Sequence, residues 1–97
     1  MVDETLVDVR ELAPPEPLEK ALAAIDQLVP GKYICLHHRR EPCGLLPRLK
    51  NLGCEHWISR DEDGFCEVFV WRYGDEVSRR AIEQKVGRPM DQKPHAG

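Results

Sequence analysis

Ninety-seven residues, 41% hydrophobic and 32% charged, suit one small domain with room for one sheet layer and one helix layer, near the size at which a single core stabilises only marginally. Fourteen Lys and Arg against seventeen Asp and Glu leave a net charge of -3, which excludes the broad basic face of a general nucleic-acid binder. No run reaches the apolar length of a membrane span, and the acidic start Met-Val-Asp-Glu-Thr is the reverse of a secretion signal, so a cytoplasmic chain with no membrane association is expected.

Residues 5–10 alternate Val7 and Val9 against Leu6, Asp8 and Arg10, the period of a half-buried strand. Pro14, Pro15 and Pro17 then fix φ at values suited to a helix's first turn, where backbone N–H groups have no intrahelical partner. The spacing of Leu18, Ala21, Leu22, Ile25 and Leu28 predicts a helix over 15–28, with Glu19, Lys20 and Gln27 on its polar side. Pro30-Gly31 ends it and leads into a strand over Lys32 to His38, in which Ile34 and Leu36 face one way and Tyr33, Cys35 and His37 the other. A shorter helix follows, introduced by Pro42, striped by Leu45, Leu46, Leu49 and Leu52, and closed by Gly53 in a left-handed cap.

Two β-rich runs, 54–60 and 65–72, flank the turn signal Asp61-Glu62-Asp63-Gly64. In the second, Cys66, Val68 and Val70 make an apolar row, and Phe65, Glu67, Phe69 and Trp71 a mixed aromatic one. Trp57 has two placements: an even loop pairs it with Val68 or Val70 over the helices, whereas a bulge at Gly64 pairs it with Phe69 on the other face. The order βαβαββ predicts an α/β two-layer sandwich (α+β), a four-stranded mixed sheet with two helices on one face. One core of Val7, Val9, Leu18, Leu22, Ile25, Ile34, Leu36, Leu45, Leu49, Leu52, Val68 and Val70 is expected. This domain spans residues 5–72. The extension over 73–97 reads as a weak helix over Asp75 to Val86, with Asp75 as N-cap and Val77, Ile82 and Val86 as contacts, or as a disordered tail.

The junction Val7-Asp8-Val9-Arg10-Glu11-Leu12-Ala13-Pro14-Pro15-Glu16-Pro17-Leu18 resembles the signature of the TusA-like (SirA-like) sulfur-carrier proteins, in which Leu-Asp and Gly-Leu precede Cys-Pro-x-Pro. Here Pro14 stands where that family carries its persulfide cysteine, and Glu11 replaces the glycine. The run is also similar to a related domain-of-unknown-function family that reads Pro-Pro-Glu-Pro at this point. The resemblance implies the TusA-like fold over about residues 5–72 and the loss of the reactive sulfur.

In sheets with parallel strands, ligands collect beyond the strands' C-terminal ends, where helix N-termini also point. That edge is expected to gather Arg10, the helix start from Pro14 to Pro17, His37, His38, Arg39, Arg40 and the start of the second helix at Cys43; of these, Arg10, Pro14, Glu16, His38, Arg39 and Arg40 are the candidate binding residues for a small anion or an acidic loop of a protein partner. The alternative is that Arg39 and Arg40 are solvated and Glu41 pairs with one of them. Cys43, placed at the start of the second helix beside arginines, is the candidate reactive thiol, although no general base or partner thiol accompanies it.

The cysteines at 35, 43, 54 and 66 are expected to be free thiols, and parity places Cys35 and Cys66 on opposite sheet faces. Together with His37, His38 and His56 they include both common zinc-ligand types. None forms Cys-x-x-Cys, and His37 and His38 point to opposite faces, so no metal ligand and no cofactor is assigned. The open sheet face with Tyr33, Cys35, His37, Phe65, Phe69 and Trp71 suits partner docking or weak homodimerisation unless the C-terminal segment covers it. No hydrolase, kinase or nucleotide motif is present, and no catalytic residue is assigned. Three functions remain: a non-enzymatic TusA-like binding or adaptor module, a thiol-dependent sulfur carrier using Cys43, and a metal- or haem-related binder in respiratory or nitrogen-oxide metabolism, the setting that resemblance to the Pro-Pro-Glu-Pro family suggests.

Overall fold

The two periodicities produce seven elements in the computed structural model, which describes residues 2–60 and 63–87. They are β1 (Asp3–Asp8), α1 (Glu16–Asp26), β2 (Lys32–His38), α2 (Leu46–Asn51), β3 (Cys54–Arg60), β4 (Cys66–Arg72) and α3 (Glu76–Val86). The sheet order is β1-β2-β4-β3. β1 runs parallel to β2, and β4 lies antiparallel between β2 and β3. This is the expected mixed four-stranded α+β arrangement.

β1 is shifted toward the N-terminus of the expected span. Its pairing starts at Asp3 opposite Lys32, and a turn in which Leu12 N donates to Val9 O at 3.2 Å ends the extended run before Arg10. α1 follows Pro15 as N-cap, carries Pro17 in its first turn, and stops at Asp26, two residues before the expected end. α2 is shorter than its leucine stripe suggests. Residues Pro42 to Leu45 form a turn in which Leu45 N and Leu46 N both donate to Pro42 O, at 2.9 and 3.1 Å.

α1 and α2 cover one face. Val9, Ile25, Ile34, Leu36, Leu45, Leu49, Val68 and Val70 are buried there, joined by Ala21, Leu28, Cys54 and Cys66, with Val7, Leu18 and Leu22 half-buried against them. Leu52 was expected in this core but is 39% exposed, because it is the C-cap of α2 and lies past the end of the helical stripe. Arg72 closes β4 on the same face, and its guanidinium donates to Leu28 O at 2.9 Å, Leu52 O at 2.8 Å and Ile25 O at 3.1 Å.

α3 packs on the opposite face, where Tyr33, Cys35, Phe69, Trp71 and Ile82 form a second buried cluster with Val86 against it. The self-association surface expected there is therefore occupied, over these residues, by the chain's own helix. Asp75 caps α3 as expected. Val77, an expected contact, is 57% exposed. The buried position goes to Ser78, whose hydroxyl donates to Lys32 O at 3.2 Å. The tail expected beyond Gly87 lies outside the described residues. Trp57 pairs with Phe69, the placement that goes with a bulged loop at Gly64, whose φ is +87°. Cys35 lies opposite Phe69 and Cys66 opposite His38, on different faces as parity required, and all four cysteines are free.

Candidate functional site

Where β1 and β2 end together, the chain leaves the sheet twice on the α1 side. From β1 it runs through Val9 and Leu12 into the prolines that start α1. From β2 it runs through His38 to Glu41 into the Pro42 turn. Between these two exits lies a groove of about 460 Å³. Val9, Leu36 and Leu45 supply a buried apolar floor, Pro14 and Pro15 one wall, and Arg39, Arg40 and Cys43 the exposed opposite rim.

The turn chemistry explains how the rim is presented. His38 alternates with Leu36 and so turns toward the α1 side, where its Nδ1 accepts from Arg40 N at 3.2 Å. Burial pushes the His38 imidazole below its ordinary value, and an Nδ1 that accepts from an N–H carries no proton, so the ring is the neutral, positioning member of the set. Glu41 does not pair with either neighbouring arginine; it faces Arg60 of β3 at 3.6 Å. Among the described residues, Arg39 and Arg40 form no ion pair, and both side chains are exposed.

Four of the expected binding residues thus meet at one groove: Pro14, His38, Arg39 and Arg40. Two do not. Glu16 begins α1 and is exposed outside the groove lining. Arg10 turns to the other sheet face, where its Nε and Nη2 clasp the Asp8 carboxylate at 2.9 and 2.8 Å and its guanidinium lies 5.5 Å from the centre of the Phe65 ring. That clasp holds the Asp8 carboxyl down at about 2. The strand parity of Leu6, Asp8 and Arg10 already pointed away from Val7 and Val9, and this was the available signal that Arg10 belongs to the other side.

Cys43 does line the groove and is exposed. It sits in the turn before α2 rather than at the helix start, three residues ahead of Leu46. The electrostatic argument for its activation by a helix N-terminus therefore lapses, since that field falls off within the first turn and α2 itself has only six residues. Chemically, an apolar floor with two guanidinium forks on one rim that form no ion pair among the described residues suits an extended chain or small molecule that presents carboxylates or phosphates beside an apolar group.

Among the described residues, no helix is long and apolar enough to cross a membrane. Residues 6–72 match the family model described as Uncharacterized conserved protein (DUF2249). The matched span takes in the whole groove and ends at Arg72, before α3. No curated protein and no solved structure matches the chain.

Proposed function

We propose, on the premise that the chain belongs to the DUF2249 family, that it is a non-enzymatic binding module whose groove captures an acidic segment of a partner protein. The observation that carries this reading is the engagement of Glu41 by Arg60, which leaves Arg39 and Arg40 without an ion pair among the described residues on the rim of an apolar groove. The resemblance to TusA-like carriers supports it from a second side. Pro14, at the position of the carriers' sulfur-bearing cysteine, lies in the groove wall, so a docking shape persists where the transferable sulfur does not.

The test is binding of acidic peptides, paired with their Asn and Gln counterparts, followed by fluorescence anisotropy. The double variant Arg39→Ala/Arg40→Ala is expected to bind about tenfold more weakly and with a shallower salt dependence, because exposed charges steer and hold an acidic partner through screened Coulomb attraction. Its thermal stability should hardly move, since exposed arginines contribute little to folding. Unchanged affinity in the double variant would sink the reading.

One observation favours a second reading: the exposed Cys43 thiol lines the same groove as Pro14. In that case the chain is a thiol-dependent sulfur carrier. Cys43→Ser would then abolish acceptance of sulfane sulfur from a persulfide donor, whereas the adaptor reading expects acidic-peptide binding to survive that substitution.

A further inference from the structure

The sheet register creates a second cluster on the face opposite the groove. Antiparallel pairing of β2 with β4 sets His37 directly across from Glu67, and Cys35 lies two residues back along β2 on the same face. The His37 Nε2 and Glu67 Oε2 atoms are 3.3 Å apart. The Cys35 sulfur, the His37 nitrogen and the Glu67 oxygen all lie within 4.8 Å of one another. Across the parallel pairing, Asp8 stands opposite His37 from β1 and adds a carboxylate to the same end of the face.

We propose that Cys35, His37 and Glu67 form a binding site for a divalent transition-metal ion of the zinc class, with its fourth coordination position toward solvent. Zinc bonds to nitrogen and oxygen of about 2.0–2.1 Å imply a tetrahedral ligand-to-ligand edge of about 3.3 Å. The His37–Glu67 pair already stands at that spacing. The donor set selects the ion: one thiol and one imidazole favour zinc, cobalt or a similar borderline cation over magnesium or calcium, which prefer oxygen ligands throughout.

Access is one-sided. Cys35 is buried beneath the helix-covered cluster, at 1% exposure, whereas the His37 and Glu67 side chains remain 26% and 33% exposed and form the mouth. Binding replaces the His37–Glu67 contact: the Cys35 thiol proton, and the proton shared between His37 Nε2 and Glu67, leave to water as the metal takes the thiolate, imidazole and carboxylate lone pairs. No electron is transferred. Because the cluster lies on the other face from the groove, this site neither requires nor excludes the binding function proposed there.

The experiment is titration of the full chain with cobalt(II), whose bond to a thiolate gives a charge-transfer absorption band, followed by displacement with zinc. The expected result is one ion per chain with that band present. Cys35→Ser should remove the band. His37→Gln and Glu67→Gln should each weaken binding about tenfold or more, and Cys43→Ser should leave band and affinity unchanged. His37 and Glu67 are partly exposed, so their variants keep the test valid even where Cys35→Ser disturbs folding, with circular dichroism as the check. Absence of the band at saturation, its loss on Cys43→Ser, or full affinity in both His37→Gln and Glu67→Gln overturns the proposal.

Discussion

Arg72 shows how much one side chain holds together. The last carbonyls of a helix have no intrahelical donor and carry partial negative charge. The guanidinium of Arg72 satisfies Ile25 O and Leu28 O at the end of α1 and Leu52 O at the end of α2. It thus fastens the C-terminal ends of both helices to β4. Arg72→Ala is expected to cost about 3 kcal/mol, because three charge-assisted hydrogen bonds that join two helix ends to β4 are lost together. Arg72→Lys keeps the charge but not the fork and should recover only part of this loss. Urea denaturation monitored by circular dichroism measures both, and equal midpoints for wild type and Arg72→Ala would refute the assignment. Sequence periodicity identified Arg72 only as the polar end of a strand. Its role depends on three carbonyls that lie 20, 44 and 47 residues away along the chain.

At the scale of elements, α3 is the addition that changes the molecule's surface. Its attachment begins at Asp75, whose carboxylate accepts from Ser78 N at 3.2 Å and from Gly31 N at 2.9 Å, tying the helix start to the turn before β2. Burial works against ionisation of Asp75, and the hydrogen bonds from Ser78, Gly31 and Val77 overcome it, holding the carboxyl below its ordinary value. At the other end Lys85 pairs with Glu4 of β1, and Glu4 also accepts from the Tyr33 hydroxyl at 3.2 Å. Asp75→Ala removes the cap and the tie together and is expected to weaken docking of α3 by about 2 kcal/mol. Hydrogen exchange should then speed up in α3 while β2 and β4 stay protected, and Trp71 fluorescence should shift to longer wavelength as the face opens. Uniform loss of protection across the chain would mean instead that α3 and the sheet unfold as one unit.

At the scale of the whole molecule, the sheet separates two chemically different faces. One holds the α1 and α2 core and ends in the arginine-rimmed groove; the other holds the α3 cluster and ends in Cys35, His37 and Glu67. Acid should act on the fold in two stages. His38 is held below its ordinary 6.5 when folded, so the unfolded chain takes up its proton first, and that contribution is complete above 6.5 and lost as pH falls through the folded value. Asp75 and Asp8 are held below their ordinary 3.8, Asp8 at about 2. Their contributions persist well into acid and are lost only as pH falls from about 4 toward their folded values. Denaturation midpoints should therefore fall slightly once pH drops below about 6.5, hold steady when His38 is protonated in both states, and fall again below about 4. Loss of the first step in His38→Gln assigns it to the groove; its persistence there would assign it elsewhere.

Local periodicity was enough for the strands, the helices, their order and the shared burial of Val9, Ile34, Leu36, Val68 and Val70, because side-chain direction in a strand or helix follows from spacing along the chain. The proline junction and the cationic turn at Arg39 and Arg40 were legible for the same reason: turn chemistry and charge are local. Pairing across the sheet was not. The register that set Trp57 against Phe69 and His37 against Glu67 depends on where β4 inserts and how many residues its loop bulges, and no single strand encodes that. Parity alone put Arg10 on the face away from Val7 and Val9, but its contact with Phe65, the choice of Arg60 by Glu41 and the covering of Phe69 and Trp71 by α3 were likewise decided only when distant segments came together. Each is a competition among partners far apart in the chain, settled by which of them the packed sheet brings within reach.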